Sequence, residues 1–167
     1  CFSSYKIPIL NMRPKYRISS MCIPWQFPAD LSIIGWLEHN KYEYDVITDE
    51  DLHQEGLESL KPYKCVITGT HPEYTSEKML NGMEDYVAEG GRFIYMGGNG
   101  FYWVVGFYND QPWCMEVRKL DSGMRAWAAR PGEHYLQTTG ERSGLWKYRN
   151  RAPQKFSGVG FISEGFE

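Results

Sequence analysis

Residues 64–102, KCVITGTHPEYTSEKMLNGMEDYVAEGGRFIYMGGNGFY, constrain this chain more than any other stretch. Residues 64–69 (KCVITG) are apolar without alternation, the pattern of a parallel strand covered on both faces. Met79, Leu80, Met83, Tyr86 and Val87 then recur at helical spacing. They predict a helix over 76–89, capped by Thr75 and closed by Gly90-Gly91. Residues 92–96 (RFIYM) read as the next strand. Strand, helix, strand in that order makes a right-handed crossover between parallel strands. Each strand end then carries a polar loop: His71-Pro72-Glu73 after the first, Gly97-Gly98-Asn99-Gly100 after the second. In open parallel sheets, ligands sit outside the carboxyl ends of the strands, so these two loops are expected to share one site.

The chain before this unit continues the alternation. Asp30 is expected to cap a helix over 31–39, with Ile33, Ile34 and Leu37 on one face; Gly35 weakens it by roughly 1 kcal/mol relative to Ala, or permits close packing. Residues 42–47 (YEYDVI) read as a strand, Thr48-Asp49 as a turn and cap, and residues 51–60 as a short helix stopped by Lys61-Pro62. The predicted fold is therefore α/β, with a Rossmann/flavodoxin-like parallel sheet. One domain accommodates all 167 residues: an entry segment over 1–27, a parallel core over 28–104, and an irregular, partly β extension over 105–167 with a strand at 115–120.

Charge and cysteine use narrow the function classes. The net charge of −3 is spread over mixed acids and bases, with no basic stripe for nucleic acid and no polybasic membrane patch. No run of eighteen apolar residues predicts a membrane span. The cysteines, Cys1, Cys22, Cys65 and Cys114, are irregularly spaced without a CxxC, which argues against a zinc knuckle and against a disulfide framework. Cys65 is expected to be an apolar filler within a buried strand, and the set reads as free thiols in a cytoplasmic protein. With Cys rather than Met first, and VGFISEGFE last, the chain reads as an internal piece of a longer protein.

The loop residues define the chemistry available. A carboxylate such as Glu73 is a hard ligand for iron, manganese or magnesium, or a general base. The His71 imidazole can donate to a developing oxyanion, shuttle a proton or ligate a metal. The Asn99 carboxamide can donate to a carbonyl oxygen in an oxyanion hole. Each also has an ordinary structural role: Glu73 in the first turn of the next helix, His71 on a backbone carbonyl, Asn99 in a left-handed Gly-Asn-Gly turn. MGGNG has the form of a nucleophile elbow, but Asn99 is not a nucleophile where class I glutamine amidotransferases carry Cys. Elsewhere, Arg13, Lys15 and Arg17 form a basic cluster, and His53 lies near Asp49 and Asp51 at an acidic helix start that is the alternative to a metal cluster. His39 suits a helix end, and His134 a loop. Phe101, Tyr102, Trp103, Phe107, Tyr108 and Trp113 serve either as a pocket lining or as core.

Several runs together resemble the large subunit of N,N-dimethylformamidase: ITGTHPEYTSEKM, YVAEGGRFIYMGGNGFYW, WAARPGE and GLWKYRNRAPQKFSGVGFISEGF, with the earlier RPKYR, GWLEHNKYEYDVITDEDLH and LKPYKCVITGTH. The resemblance covers nearly the whole chain, with HPEY and MGGNGFYW at the expected separation. It implies a domain of the class I glutamine-amidotransferase-like type. The implied activity is hydrolysis of N,N-dimethylformamide to dimethylamine and formate at a mononuclear ferric iron held by two tyrosines and a glutamate. On this resemblance Glu73 is the metal ligand, His71 the nearby active-site histidine and Asn99 the polar residue facing the small amide. The two tyrosine ligands are expected in segments before Cys1, and Tyr74 does not replace them. The fragment alone is then expected to be inactive, and a small subunit and a homo-oligomer of large subunits are the implied partners. A non-catalytic amidotransferase-like binding or assembly module is the alternative, motivated by the missing nucleophile cysteine and the missing tyrosines.

Overall fold

In a computed structural model, which describes residues 2–18, 22–119 and 134–160, the chain opens on strand β1 (Phe2–Ser4) and a single 3-10 turn at Leu10–Met12. Helix α1 runs over Phe27–His39 and starts earlier than the spacing predicts. Pro28 suits its first turn, where an amide hydrogen would be unused, and the N-cap is Gln26. Asp30 is thereby released from capping and lies within the first turn. His39 sits in the last turn, where a cation would complement the helix dipole.

Residues 42–47 do not form the expected strand. Tyr42, Glu43, Asp45 and Val46 are exposed, and no described strand lies alongside to complete a ladder. β-propensity measures fit to a half-buried pleated surface, which is missing here. Helix α2 (Asp49–Glu55) follows, and Thr48 closes a reciprocal capping box with Asp51. The expected single helix over 51–60 breaks at Gly56, whose φ is +59°, into a 3-10 turn at Gly56–Ser59.

Strands β2 (Cys65–Ile67) and β4 (Arg92–Ile94) pair in parallel, Val66 opposite Phe93, with α3 (Glu77–Ala88) as their crossover. Between them lies the two-residue strand β3 (Tyr74–Thr75). Thr75 is taken up by that strand, so Ser76 caps α3 instead, its hydroxyl accepting the Met79 amide at 3.3 Å. The expected burial of Cys65 is not observed: with residues 42–47 unpaired, β2 is an edge strand and Cys65 is exposed. Cys22, Cys65 and Cys114 are free thiols.

Strand β5 (Trp103–Phe107) is buried along its whole length and crosses position 104, where the core was expected to give way to the extension. It pairs in parallel with β3 and antiparallel with β6 (Cys114–Val117), which in turn pairs with β1. The result is a mixed four-stranded sheet ordered β1-β6-β5-β3 beside the parallel β2-β4 pair. Met79, Leu80, Met83 and Tyr86 of α3 pack on Phe101, Val104, Val105, Phe107, Leu136 and Trp146. Gly82 lets α3 cross the Gly56–Ser59 turn, since a Cβ there would stand 2.8 Å from the Gly56 carbonyl carbon. Short helix α4 (Gln154–Ser157) adds Phe156, whose ring lies 5.0 Å from Phe93 and 5.2 Å from Phe101.

The extension is fastened by two polar anchors. Trp146, fully buried at the start of a 3-10 turn (Trp146–Arg149), donates its indole N–H to the Thr75 carbonyl at 3.1 Å. Glu116 is also fully buried, paired with Arg118 and accepting the Thr138 amide at 2.9 Å. Burial alone would raise its carboxyl; the hydrogen bonds from Arg118, Thr138 and Gln137 outweigh that and hold it below the ordinary range. Among the described residues, no helix is long and apolar enough to cross a membrane. Cys1, Met21, Leu120, WAARPGE and the run from 161 onward lie outside the described residues.

Candidate functional site

The two polar loops meet through their backbones. The Gly98 amide donates to the Thr70 carbonyl at 2.9 Å and the Phe101 amide to the Pro72 carbonyl at 2.7 Å. The Tyr102 and Trp103 amides both donate to the Glu73 carbonyl, at 3.0 and 2.8 Å. The approach needs glycine: a Cβ at Gly97 would lie 2.3 Å from Pro72 Cδ and 3.0 Å from the Thr70 oxygen.

Glu73 is half-buried, and its Oε1 accepts the indole N–H of Trp103 at 2.9 Å. Among the described residues, its Oε2 has no hydrogen-bond donor. His71 lies on Trp25, with ring centroids 4.2 Å apart, and its other flank borders Gly98, where a Cβ would stand 3.2 Å from His71 Cε1. Asn99 has φ +53°, the left-handed turn conformation that Asn tolerates, and is half-buried. The fold thus brings the segments carrying His71, Glu73 and Asn99 to one place. The three side chains share no hydrogen bond among the described residues.

Asp30 holds the first loop from behind. Its Oδ1 accepts both the amide and the hydroxyl of Thr70, each at 2.7 Å, tying the first turn of α1 to the residue before His71. Lys119 Nζ donates to the Tyr74 hydroxyl at 2.7 Å and lies 4.7 Å from the centre of the Trp103 ring. Burial, then Tyr148 and the Glu73 carboxylate, push the Tyr102 phenol up, so it stays protonated at neutral pH.

Part of the aromatic run takes the core role that the sequence left open. Phe101, Trp103 and Phe107 are core, while Tyr102, Tyr108 and Trp113 are half-buried. His53 stands apart from the loops: Nδ1 is 2.7 Å from Ser76 Oγ and the ring is 4.4 Å from that of Phe107. Its partners are therefore a hydroxyl and an aromatic ring. Among the described residues no group of three His, Cys, Asp or Glu could hold a metal ion. Arg13 and Arg17 donate to nearby carbonyls, of Leu10 and Cys22.

Among the described residues, the carboxylate this junction offers a hard cation is Glu73, whose Oε2 has no hydrogen-bond donor there. That fits a site whose other ligands come from elsewhere and does not amount to a complete one. A hollow of about 220 Å³ is lined by Leu80, Glu84, Phe101, Arg151 and Phe156 among others. Sequence reasoning missed Trp25 and the roles of Trp103 and Asp30. Trp25 lies between two prolines with no periodicity, and no spacing rule states what an indole N–H will meet.

A family model described as "N,N-dimethylformamidase beta subunit-like, C-terminal" matches residues 1–167. A protein named N,N-dimethylformamidase beta subunit from Alcaligenes sp. is 48% identical over 166 residues, and one of the same name from Paracoccus aminophilus is 46% identical over 166 residues. Each alignment covers 99% of this chain and 22% of the relative, so the chain spans about a fifth of the length of these proteins.

Proposed function

Because the chain belongs to the family of N,N-dimethylformamidase beta subunit-like C-terminal regions, we propose that it is part of an iron-dependent amidohydrolase. Its substrates would be small linear amides of the N,N-dimethylformamide type, cleaved to an amine and formate. The observation that carries the reading is the half-buried Glu73 carboxylate, offering one open oxygen at the junction of the HPEY and GGNG loops. The reading includes an amidotransferase-like parallel sheet of which the β2–α3–β4 unit is a part. It also includes a small-subunit partner and association of large subunits, in line with relatives named as subunits.

Glu73 would hold the metal together with tyrosines from elsewhere in the longer protein. Phenolate and carboxylate are hard oxygen donors suited to ferric iron, which when bound would act as a Lewis acid toward the amide carbonyl or water. His71, fixed between Trp25 and Gly98, supplies a ring N–H for a carbonyl oxygen that gains negative charge. Asn99 supplies a carboxamide N–H for the same oxygen or for substrate orientation. Trp25, lying on His71, and Tyr102, which follows the GGNG loop, would limit water at the junction and suit a small methylated amide.

The test is dimethylamine release from N,N-dimethylformamide by the full-length protein. Glu73→Ala is expected to abolish it, and full activity in that variant would overturn the reading. An iron-free, inactive protein that still binds amides would instead mark a binding module.

A further inference from the structure

We infer that Trp103 is a positioning residue for Glu73, fixing the carboxylate so that a single oxygen, Oε2, is offered to a bound cation. The inference rests on the reading of Glu73 as a metal ligand. Trp103 grips Glu73 at two points: its backbone amide donates to the Glu73 carbonyl at 2.8 Å, and its indole N–H to the carboxylate Oε1 at 2.9 Å. A carboxylate on a free side chain rotates about its terminal torsion and can present either or both oxygens. With Oε1 occupied by a buried donor, that rotation is restrained, and Oε2 is left without a hydrogen-bond donor among the described residues.

The donor is itself immobile. Trp103 is 5% exposed and begins β5, where it pairs with Tyr74 of β3 and bridges to Leu145. Lys119 Nζ lies 4.7 Å from its ring centre, and a cation over an indole draws electron density toward the ring face and makes the N–H a better donor. A buried indole needs some acceptor, and Trp146 shows how an ordinary one is met: a backbone carbonyl. Trp103 is satisfied instead by a half-buried carboxylate on the loop shared with His71. Partners of this kind orient metal ligands, and losing one typically lowers metal affinity by about 10- to 100-fold.

The test uses the full-length protein and reads iron rather than turnover. Iron affinity is measured by competition with a chelator, and the environment of bound ferric iron by its electron paramagnetic resonance line shape. Two variants remove the N–H: Trp103→Phe, and Trp103 replaced by 3-benzothienylalanine, which keeps the ring volume and puts sulfur in place of the N–H. The second stands if the first does not fold. The expected result is iron affinity about 10- to 100-fold weaker, with an altered line shape and wild-type circular dichroism. Glu73→Gln serves as the control and is expected to lose iron outright. If that control loses iron while the benzothienyl protein keeps wild-type affinity and line shape, the positioning role is overturned. If Glu73→Gln itself keeps wild-type iron, the ligand reading fails, and the positioning role with it.

Discussion

Gly97 sets how closely the two loops approach. A methyl group at 97 would press on Pro72 Cδ at 2.3 Å, a ring atom that cannot swing aside, and on the Thr70 carbonyl at 3.0 Å. Gly97→Ala is therefore expected to destabilise the protein by about 1–3 kcal/mol, as overpacking does, and to displace His71 and Glu73. Gly35, exposed in the middle of α1 with nothing within 4 Å of its missing Cβ, is the contrast. Gly35→Ala is expected to stabilise by about 0.5–1 kcal/mol, since among the described residues nothing packs closely on that glycine. Denaturant midpoints of the two variants side by side would check both signs. The sequence showed glycines after a strand but not which of them faces another backbone. The same limit hid Asp30: a carboxylate at a helix start reads as a cap, and only the fold shows that Thr70 lies within 2.7 Å of it.

Between elements, the joint of α2 with α3 carries a proton-sensitive contact. His53 of α2 meets Ser76, the residue capping α3. Burial, reinforced by Lys78, holds the imidazole below its ordinary value, so the folded protein keeps it neutral where the unfolded chain would already bind a proton. More protons are then bound in the unfolded state just below pH 6.5, so this contribution is complete above that pH and is lost on acidification through the folded value. Amide exchange at Met79, corrected for its intrinsic pH dependence, should accelerate as pH falls from 7 toward 5. His53→Asn should flatten that dependence; an unchanged profile would remove His53 from the account. The α3 period was legible because its apolar face is long and regular, and so was the cap at Thr48, though not its reciprocal bond with Asp51. Residues 42–47 were misread because tyrosine and valine signal a pleated surface without saying whether a partner strand exists. Thr75 failed as a cap because a two-residue strand, too short to show a period, claims it.

Across the whole molecule, the parallel strand–helix–strand unit and the meeting of its two loops follow from pattern alone. The mixed sheet does not, because antiparallel β6 and β1 lie in segments without clear alternation. Glu73, His71 and Asn99 were legible as polar residues at strand ends; the indole on Glu73 and the ring on His71 were not. On the proposed reading one carboxylate supplies part of a metal site, and the chain spans about a fifth of the proteins it matches. The central claim is thus that Glu73 contributes a ligand to iron held by the longer protein. Iron per full-length chain, measured by elemental analysis on wild type and on Glu73→Ala of unchanged circular dichroism, tests it most directly. The account predicts about one iron per wild-type chain, as a mononuclear site requires, and none in the variant; equal iron in both would contradict it.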